Sequence, residues 1–347
     1  MSICKNVQTL QAYTPGEQPQ APDIIKLNTN ENPYPPSPKV AEAIRAFDPT
    51  RLRLYPDPVF RALRERIAEI HGCTPDQIFI GNGSDEVLSL CTQAFAEVAA
   101  DDGTIGYFDP SYSLYPVLAD IRDARRRSVP LALDFSWRSP PEDAASLFFL
   151  TNPNAPTSLR YATGDVAAFC RRFNGVVVID EAYADFADEN CMALALDPAN
   201  TNTLVSRTLS KSFSLAGIRF GYLVDPAELI GAIYKIKDSY NMDMLTQVIG
   251  LAALSDLDWM RENVRKIRAT RARMTEALRK RGWSVCDSQT NFLFARPPDG
   301  QAAARFEALK AAHIYVRYFP GPLTGEYLRI TIGTDPQMDR LLATLDR

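Results

Sequence analysis

One lysine stands out in this sequence because its neighbours predict a buried strand end. Residues 203–205 form an apolar run, and Lys211 follows within a segment of serines and threonines. Burying a lysine is costly unless its charge is paired or removed, and most lysines are therefore solvated. A lysine amine can, however, condense with a carbonyl group to form a Schiff base. We therefore ask whether other segments supply what such chemistry requires.

Two further polar residues follow predicted strands in the same way. The continuous apolar run 176–179 is typical of a buried parallel strand and ends on Asp180. Asn154 follows the apolar segment 146–151. In doubly wound sheets, ligands bind beyond the carboxyl ends of the strands. The sequence therefore predicts that Asn154, Asp180 and Lys211 converge, although 26 and 31 residues separate them.

A glycine-containing turn at 81–86 predicts an anion site. A predicted strand, 77–80, leads into the turn, and a helix is predicted to start at Asp85. Backbone N–H groups point outward at a helix start, where they can bind an anion. The turn lacks the Gly-Lys-Ser/Thr of a Walker P-loop, and Glu86 occupies the place of the third glycine in a dinucleotide-binding turn. Taken alone, the segment could equally be an ordinary helix start, because Ser84 and Asp85 are good capping residues.

The composition argues against several kinds of active site. The only two histidines, His71 and His313, are not in a metal-ligand spacing, and no His-Glu-x-x-His motif occurs. We therefore expect no metal site and no zinc hydrolase, and proton transfer should use residues other than histidine. The six cysteines are scattered without a Cys-x-x-Cys pair, which indicates thiols in a reducing compartment.

Charge and hydropathy argue against two classes of partner. The 347 residues carry a net charge of −4, so no overall basic field points to nucleic acid. The sequence contains no run of eighteen apolar residues, so no membrane span is predicted. The N-terminus lacks the apolar core of a signal peptide. We expect a cytoplasmic protein that binds neither nucleic acid nor membrane.

The predicted elements form a large α/β domain and a smaller α+β domain. Strands and helices alternate in the first part of the chain, which is typical of a doubly wound, mostly parallel sheet. One long charged helix, 257–281, then precedes shorter strands and helices. We predict an N-terminal arm at 1–29 associated with the small domain, a large domain at 30–240 and a small domain at 241–347.

Pyridoxal phosphate would use all of these groups. This cofactor needs a lysine, a carboxylate that keeps the pyridine nitrogen protonated, donors near its phenolic oxygen, and a phosphate site. The candidates are, in that order, Lys211, Asp180, Asn154 with Tyr183, and the turn 81–85 with Ser210 and Arg219. Each signal is weak alone, but their order and their places at strand ends favour this cofactor.

Six segments together resemble the histidinol-phosphate aminotransferases, which are class II aminotransferases of fold type I. The segments cover almost the whole chain in the order of that family. They are Leu-Asn-Thr-Asn-Glu-Asn-Pro-Tyr at 27–34, Tyr-Pro-Asp at 55–57, Asn-Pro-Asn-Ala-Pro-Thr at 152–157, Asp-Glu-Ala-Tyr at 180–183, Ser-Lys-Ser-Phe-Ser-Leu-Ala-Gly-Ile-Arg at 210–219 and Leu-Arg-Ile-Thr-Ile-Gly at 328–333. The resemblance implies the fold-type I transferase fold and pyridoxal 5'-phosphate as cofactor.

The resemblance also implies a role for each matching residue. Lys211 is expected to bind the cofactor covalently and to move the substrate's proton, while Asp180 pairs with the pyridinium nitrogen. Tyr183 and Asn154 are expected at the phenolic oxygen, and Tyr112 against the ring. The implied phosphate-binding residues are Gly83, Ser84, Asp85, Ser210, Arg219 and, from the neighbouring subunit, Tyr55.

The implied reaction transfers the amino group of L-histidinol phosphate to 2-oxoglutarate, which gives imidazole-acetol phosphate and L-glutamate in histidine biosynthesis. Arg329 resembles the arginine that binds a substrate carboxylate, a bidentate task suited to a guanidinium group. Arg317 and Tyr13 are candidates for the substrate's phosphate, and Asn30 is a further candidate substrate residue. The expected reach of Tyr55 into a neighbouring site implies a homodimer with shared active sites.

Two departures from the family pattern leave the substrate preference open. Pro35 stands where the family usually has glycine, and Ser158 replaces the glycine of a Pro-Thr-Gly turn, so Ser158 must adopt whatever backbone angle that glycine served. The alternatives on the same scaffold are an aromatic amino acid aminotransferase and a threonine-phosphate decarboxylase. A non-catalytic regulator would carry a DNA-binding module, and no basic helical module is predicted.

Overall fold

The computed structural model describes residues 3–12, 16–20, 23–96, 103–138, 140–143 and 145–346. The strands in these residues are β1 (Ile25–Lys26), β2 (Ile78–Asn82), β3 (Thr104–Asp109), β4 (Arg125–Pro130), β5 (Leu147–Thr151), β6 (Val176–Asp180), β7 (Thr203–Thr208), β8 (Phe220–Val224), β9 (Ser284–Val285), β10 (Phe292–Arg296), β11 (Ile314–Tyr315), β12 (Arg317–Tyr318) and β13 (Leu328–Thr331). The helices are α1 (Lys5–Thr9), α2 (Pro38–Ala46), α3 (Arg61–His71), α4 (Ser84–Phe95), α5 (Leu114–Arg122), α6 (Thr163–Arg172), α7 (Met192–Ala195), α8 (Ala227–Tyr234), α9 (Met244–Leu254), α10 (Leu257–Lys280), α11 (Ala302–Ala311) and α12 (Asp335–Leu345).

Seven strands form the large sheet, in the order β2-β8-β7-β6-β5-β3-β4. The strands from β3 to β7 run parallel, whereas β8 pairs antiparallel with both of its neighbours. Every residue of β5 and β7 is buried, as expected for strands that are covered on both faces. The predicted doubly wound, mostly parallel sheet is confirmed.

The C-terminal part of the chain builds a second, antiparallel sheet of four strands, ordered β12-β13-β10-β9. Helix α10 packs against β9 and β10, and α11 packs against β12. A short parallel pair joins β1 to β11, which brings residues before the large sheet next to the small one. The small α+β unit is therefore present. The exact boundaries at 29/30 and 240/241 stay a prediction.

Three clusters of buried apolar side chains hold these layers together. Two of them contain side chains of the large sheet, and the third lies around β10, β13 and α10. The third cluster also includes Tyr183 and Phe186 from the loop after β6. This loop therefore contributes to the packing of the small sheet, although it follows a strand of the large one.

Three elements differ from the sequence-based expectation. The amphipathic pattern of residues 58–70 predicts a helix from Pro58, but α3 begins at Arg61, because Asp57 accepts hydrogen bonds from the N–H groups of Val59 and Arg61. The sequence also predicts a strand over 218–224, but β8 begins at Phe220, since Arg219 has a left-handed φ of 54°. Strand β4 was not predicted, because its Arg-Arg-Arg-Ser sequence lies exposed at the sheet edge, where charges protect an unpaired strand.

The described residues also bear on membrane, metal and disulfide chemistry. Among them, no helix has the length and apolar character that a bilayer span requires. They contain no group of three or more His, Cys, Asp or Glu side chains arranged to hold a metal ion. All six cysteines are free.

Candidate active site

A cleft of about 270 Å³ lies where the carboxyl ends of the large sheet face the small sheet. Most of the residues predicted from the sequence line it. They are Asn30, Ser84, Asp85, Tyr112, Asp180, Tyr183, Ser210, Lys211, Arg219, Arg317 and Arg329. The convergence follows from topology, because parallel strands end at the same edge of a sheet.

Lys211 lies in the cleft just after β7 and is partly buried. Its Nζ atom lies 3.4 Å from the carbonyl oxygen of Thr29 and 5.9 Å from the centre of the Tyr183 ring. Burial, followed by the positive charge of Arg329, lowers the pKa of Lys211 to about 8. A substantial fraction of this amine is therefore neutral near physiological pH, and the neutral amine is the nucleophilic form.

Asp180 ends β6 and is only 3% exposed. Its Oδ2 accepts a hydrogen bond of 2.8 Å from the Tyr115 hydroxyl, and its Oδ1 accepts one of 3.2 Å from the N–H of Ala182. Burial raises the pKa of Asp180 to about 6, although both hydrogen bonds oppose the rise. The carboxyl group is thus ionised at neutral pH and can pair with a cation in the cleft.

Tyr183 is held in place by the proline-rich segment 27–38, called the strap below, which contains Asn30. The Asn30 side-chain amide donates to the Tyr183 hydroxyl at 2.9 Å, and Thr331 donates to the Asn30 side-chain oxygen at 3.1 Å. Asn30 has a left-handed φ of 56°, which asparagine tolerates better than most residues. The chain Thr331–Asn30–Tyr183 therefore links the small sheet to the loop after β6.

The start of α4 lies at the end of the cleft where the sequence predicts an anion site. Gly83 precedes this helix with a φ of +85°, and a Cβ atom on it would lie 2.7 Å from the Arg219 guanidinium. Arg219 donates to Asp85 Oδ2 at 3.1 Å, and the Tyr112 hydroxyl donates to Asp85 Oδ1 at 3.1 Å. The Asp85 carboxylate thus orients both side chains. On the other side, Thr208 donates to the Ser210 hydroxyl at 2.9 Å.

Two arginines line the side of the cleft that the small sheet provides. Arg317 of β12 and Arg329 of β13 are direct cross-strand partners. Phe319 lies beside both guanidinium groups. The centre of its ring is 5.4 Å from Cζ of Arg317 and 5.2 Å from Cζ of Arg329. Arg329 also donates to the carbonyl oxygen of Asn28 at 2.8 Å. Two guanidinium groups at adjacent positions favour a ligand with anionic groups.

Comparison with known proteins identifies the family. The sequence model of the family "Aminotransferase class I and II" matches residues 22–345. The chain is 45% identical to the histidinol-phosphate aminotransferase of Geotalea uraniireducens over 343 residues, which are 98% of this chain and 97% of the relative. The chain belongs to the class I and II aminotransferases.

Other relatives of this aminotransferase agree with the match. The histidinol-phosphate aminotransferase of Syntrophotalea carbinolica is 44% identical over 343 residues, which cover 98% of this chain and 97% of that protein. The crystal structure of the Sinorhizobium meliloti histidinol-phosphate aminotransferase in complex with pyridoxal-5'-phosphate superposes with a TM-score of 0.86 at 26% identity, covering 99% of this chain and 96% of that one. The resemblance inferred from the six sequence segments is confirmed.

Three of the predicted residues that the structure describes do not line the cleft. Asn154 is fully buried beside it, where its amide donates to the Pro110 carbonyl and to Thr157, both at 3.0 Å. Gly83 lies behind Arg219. Tyr55 is 77% exposed and stacks on Tyr240 with ring centres 4.4 Å apart. Tyr13 lies outside the described residues.

Sequence reasoning missed three residues that shape the cleft. The first is Tyr115 in its role as the hydrogen-bond partner of Asp180; its place three residues after Tyr112 was the available signal. The second is Phe319, for which only its spacing from Arg317 could have served as a signal. The third is Thr208, which lies at the end of β7 and bonds Ser210. None belongs to a segment that carried the family resemblance.

The arrangement fits a planar, phosphorylated aldehyde such as pyridoxal phosphate. The cleft combines a partly neutral amine, a buried carboxylate, a tyrosine face and a helix start with an arginine. The helix start is closely packed from below: a Cβ on Gly221 would lie 2.6 Å from the backbone nitrogen of Ser84. Only glycine at 221 leaves the backbone at the start of α4 in place. The outward N–H groups of that helix start therefore stay available for an anion.

Proposed function

We propose that this aminotransferase uses pyridoxal 5'-phosphate to transfer the amino group of L-histidinol phosphate to 2-oxoglutarate. The products are imidazole-acetol phosphate and L-glutamate, and the reaction belongs to histidine biosynthesis. The observation that carries the proposal is the arginine pair, Arg317 and Arg329, facing the Lys211–Asp180 centre. The relatives of highest identity described above, all named histidinol-phosphate aminotransferases, support the choice of substrate.

In this proposal the large sheet holds the cofactor. When bound, pyridoxal phosphate supplies an aldehyde that reacts with amines and a protonated ring that accepts electrons. Asp180 would pair with the ring nitrogen, Tyr183 and the more deeply buried Asn154 would act at the phenolic oxygen, and Tyr112 would hold the ring. The phosphate-binding set is Gly83, Ser84, Asp85, Ser210 and Arg219, with Tyr55 of the second subunit.

Lys211 carries the proton transfers in this scheme. Its neutral amine accepts the proton that leaves the substrate Cα, and the resulting ammonium returns a proton later in the reaction. A pKa of about 8 suits both tasks, because neither protonation state is strongly favoured near neutral pH. Asp180, Lys211 and Tyr183 are therefore the proposed catalytic residues.

The arginine pair explains how one cleft accepts two different substrates. Histidinol phosphate brings a phosphate group, whereas 2-oxoglutarate and glutamate bring carboxylates. Arg329 suits bidentate binding of a carboxylate, and Arg317 lies directly opposite it to bind the phosphate. Asn30 orients Tyr183 beside the substrate, and Tyr13 is proposed as a further phosphate ligand from the sequence alone.

We propose that the active protein is a homodimer with shared active sites. Tyr55 is 77% exposed within one chain and does not line the cleft of that chain. The segments around it expose further apolar side chains, namely Ile44, Leu52, Leu54, Val59 and Tyr240. Such a concentration of exposed apolar groups is typical of an interface. The cytoplasmic location expected from the sequence stays a prediction.

A panel of amine donors tests the substrate. Purified protein loaded with pyridoxal phosphate is given 2-oxoglutarate and either histidinol phosphate, phenylalanine or O-phosphothreonine, and glutamate is measured. We expect glutamate from histidinol phosphate at the highest kcat/KM. Glutamate from phenylalanine alone would support the aromatic aminotransferase instead, and CO₂ release from phosphothreonine would support the decarboxylase.

The Lys211→Ala variant tests the centre itself. We expect the loaded wild-type protein to be yellow and the variant to lack the near-visible absorbance band. Lys237→Ala is the matched control, because burial also lowers the pKa of Lys237 but this residue does not line the cleft. A Lys211→Ala protein that kept the band would refute the assignment of the cofactor lysine.

A further inference from the structure

A cluster of charged side chains lies behind the cleft, centred on Arg207 of β7; Arg207 and Glu181 are buried, whereas Asp185 is partly exposed. Arg207 is buried and donates from Nε to Glu181 Oε2 at 2.8 Å and from Nη1 to Asp185 Oδ1 at 2.9 Å. Glu181 is 1% exposed, and its other carboxylate oxygen accepts the backbone N–H of Cys191. One guanidinium group therefore bridges two carboxylates from different turns of the loop after β6.

This cluster is not explained by stability alone. Removing two or three charges from water is expensive, and replacing a buried ion pair by apolar residues of similar volume is often neutral or stabilising. The neighbouring core offers such an alternative, since Val205 and Leu204 of the same strand are completely buried. A costly charge cluster next to the cleft therefore suggests that it fixes the positions of the loops around it.

The cluster touches each of the segments that carry the proposed catalytic residues. Glu181 directly follows Asp180, and Asp185 follows Tyr183 by two residues. The Ser212 hydroxyl, next to Lys211, donates to Asp185 Oδ2. Arg207 itself directly precedes Thr208, which bonds Ser210. One connected set of hydrogen bonds thus reaches the neighbours of the amine, the carboxylate and the phenol.

The loop of Lys211 is held from its other side by the strap. The side-chain amide of Asn32 donates to the carbonyl oxygens of Lys211 and Ser212, at 3.1 Å and 3.2 Å. The Ser212 side chain is buried and faces Asp185. The backbone at Lys211 is therefore fixed between the strap in front and the charge cluster behind.

We propose that Arg207, with Glu181, Asp185 and Ser212, is a positioning device that fixes the Lys211 loop relative to Asp180 and Tyr183. None of the four touches a reacting atom. Arg207 acts because its planar guanidinium binds two carboxylates at once, which a lysine cannot do with the same geometry. The inference rests on the proposed role of Lys211 in binding the cofactor.

The Ser212→Ala variant removes the hydrogen bond that joins the lysine loop to the Asp185 carboxylate of the cluster. We expect pyridoxal phosphate to bind the variant about ten-fold more weakly, the size expected for a lost hydrogen bond to a charged group. The near-visible circular dichroism of the bound cofactor should decrease, because its orientation is less fixed. The thermal midpoint of the cofactor-free protein should also fall by a few degrees, because a buried hydrogen bond to a carboxylate contributes to stability.

Ser37→Ala provides the matched control. Ser37 also donates its hydroxyl to an aspartate distant in sequence, Asp256, and does not line the cleft. We expect this control to leave cofactor affinity and circular dichroism unchanged. If both serine variants behaved alike, the special role of Ser212 would be refuted.

A double-mutant cycle with Asp185→Ala tests the route of the effect. Asp185→Ala leaves Arg207 paired with Glu181, so the buried charges remain balanced. In that background, Ser212→Ala should change cofactor affinity by less than about two-fold, because its partner is already absent. An unchanged ten-fold effect would show that Ser212 acts independently of the cluster, and the proposal would fall.

Arg207→Lys extends the test to the centre of the cluster. It keeps the charge but loses the two-carboxylate geometry, so affinity and circular dichroism should fall as in Ser212→Ala. A fall in thermal midpoint with unchanged affinity and circular dichroism would show a merely structural role and overturn the proposal. Wild-type behaviour of Ser212→Ala, together with a lost band in Lys211→Ala, would refute only the positioning device. A band that persisted in Lys211→Ala would refute the assignment on which it rests.

Discussion

At the scale of single residues, burial shifts the pKa values of both central groups of the proposed catalytic centre. The same removal from water lowers the pKa of Lys211 to about 8 and raises the pKa of Asp180 to about 6. The two shifts leave the amine partly neutral and the carboxylate still ionised near neutral pH. A free amine and a fixed negative charge are what a cofactor with an aldehyde and a basic ring nitrogen requires.

The cost of the Asp180 charge gives a prediction about stability. The folded pKa of Asp180 is raised above its ordinary value of 3.8, so its contribution to stability is fully present below about pH 4 and is lost as the pH rises through about 6. The difference between the ordinary and the folded pKa of Asp180 corresponds to about 3 kcal/mol of free energy of unfolding. Asp180→Asn should therefore raise the thermal midpoint of the cofactor-free protein at about pH 8 but not at about pH 4.

Thermal melts of both proteins at the two pH values check this prediction. The asparagine amide can donate to the Tyr115 hydroxyl, which lies 2.5 Å from Thr151 and can donate to it in turn, so the site remains hydrogen-bonded. The same gain at both pH values would contradict the electrostatic explanation. The variant should bind pyridoxal phosphate more weakly despite its higher stability.

At the scale of elements, the strand ends and the turns that follow them decide what the cleft can bind. The turn before α4 must adopt a positive φ at Gly83, and Arg219 occupies the space beside it. The turn after β5 has a similar demand at Ser158, whose φ is 65°. The expectation that Ser158 takes over a backbone angle suited to glycine agrees with this value.

A methyl group at Gly83 should disturb the anion site. In Gly83→Ala the new Cβ would lie 2.7 Å from the Arg219 guanidinium at a φ that alanine disfavours. We expect at least about ten-fold weaker binding of pyridoxal phosphate, measured by absorbance titration. Gly164→Ala is the control, since its added Cβ would meet no atom within 4 Å apart from its chain neighbours and its own helix backbone; an equal loss in both variants would contradict the steric argument.

Restoring glycine at Ser158 should stabilise the protein. A non-glycine residue in the left-handed region costs about 1–2 kcal/mol, and the buried Ser158 hydroxyl has no hydrogen-bond partner among the described residues. The backbone strain and the unpaired hydroxyl of Ser158 together cost more than the extra conformational entropy that a glycine loses on folding, which is about 0.5–1 kcal/mol. Ser158→Gly should therefore raise the free energy of unfolding by about 1 kcal/mol.

Ser158→Ala separates the two causes in a urea titration. It removes the hydroxyl but keeps the Cβ at a φ of 65°. We expect its free energy of unfolding to lie between those of the wild type and Ser158→Gly. A destabilised Ser158→Gly would show that the serine makes a favourable contact that outweighs the backbone strain.

At the scale of the whole molecule, segments distant in sequence close one site. The strap that follows β1 supplies Asn30 and Asn32, the large sheet supplies Lys211, and the small sheet supplies the arginine pair. The hydrogen bond from Thr331 to Asn30 joins the small sheet to the strap. The proposed second subunit would add Tyr55 as a fourth source.

Mixing two inactive variants tests whether Tyr55 acts across a dimer interface. A dimer of one Lys211→Ala subunit and one Tyr55→Ala subunit has one intact site if Tyr55 serves the partner, and none if it serves its own chain. We expect activity to reappear after subunit exchange, approaching about a quarter of wild type if exchange is statistical. Light scattering should give twice the chain mass of 38.6 kDa.

The dimer hypothesis fails if the mixture stays inactive while exchange is demonstrated by differently tagged subunits. A monomer at assay concentration would contradict it as well. Tyr55→Phe is the milder control, because it keeps the aromatic stack on Tyr240 and removes only the hydroxyl.

The large sheet and most of the site could be predicted because their signals are local. A continuous apolar run that ends on a polar residue marks a buried strand and its carboxyl end, as for Asp180 and Lys211. Strand β4 and the true start of α3 could not be predicted. An exposed arginine-rich edge strand has no apolar pattern, and the cap at Asp57 depends on side-chain hydrogen bonds.

The sequence by itself determined the order of the motifs, the type of sheet and the family, because strand periodicity and short motifs are written in neighbouring residues. Only the tertiary structure decided which side chains hold the reactive groups. Tyr115 bonds Asp180 across 65 positions, and Arg207 reaches Glu181 across 26. Such contacts depend on how strands and loops pack, and packing is a property of the folded chain. Lys211 could be identified from the sequence, whereas the proposed positioning device behind it could be recognised only in the folded chain.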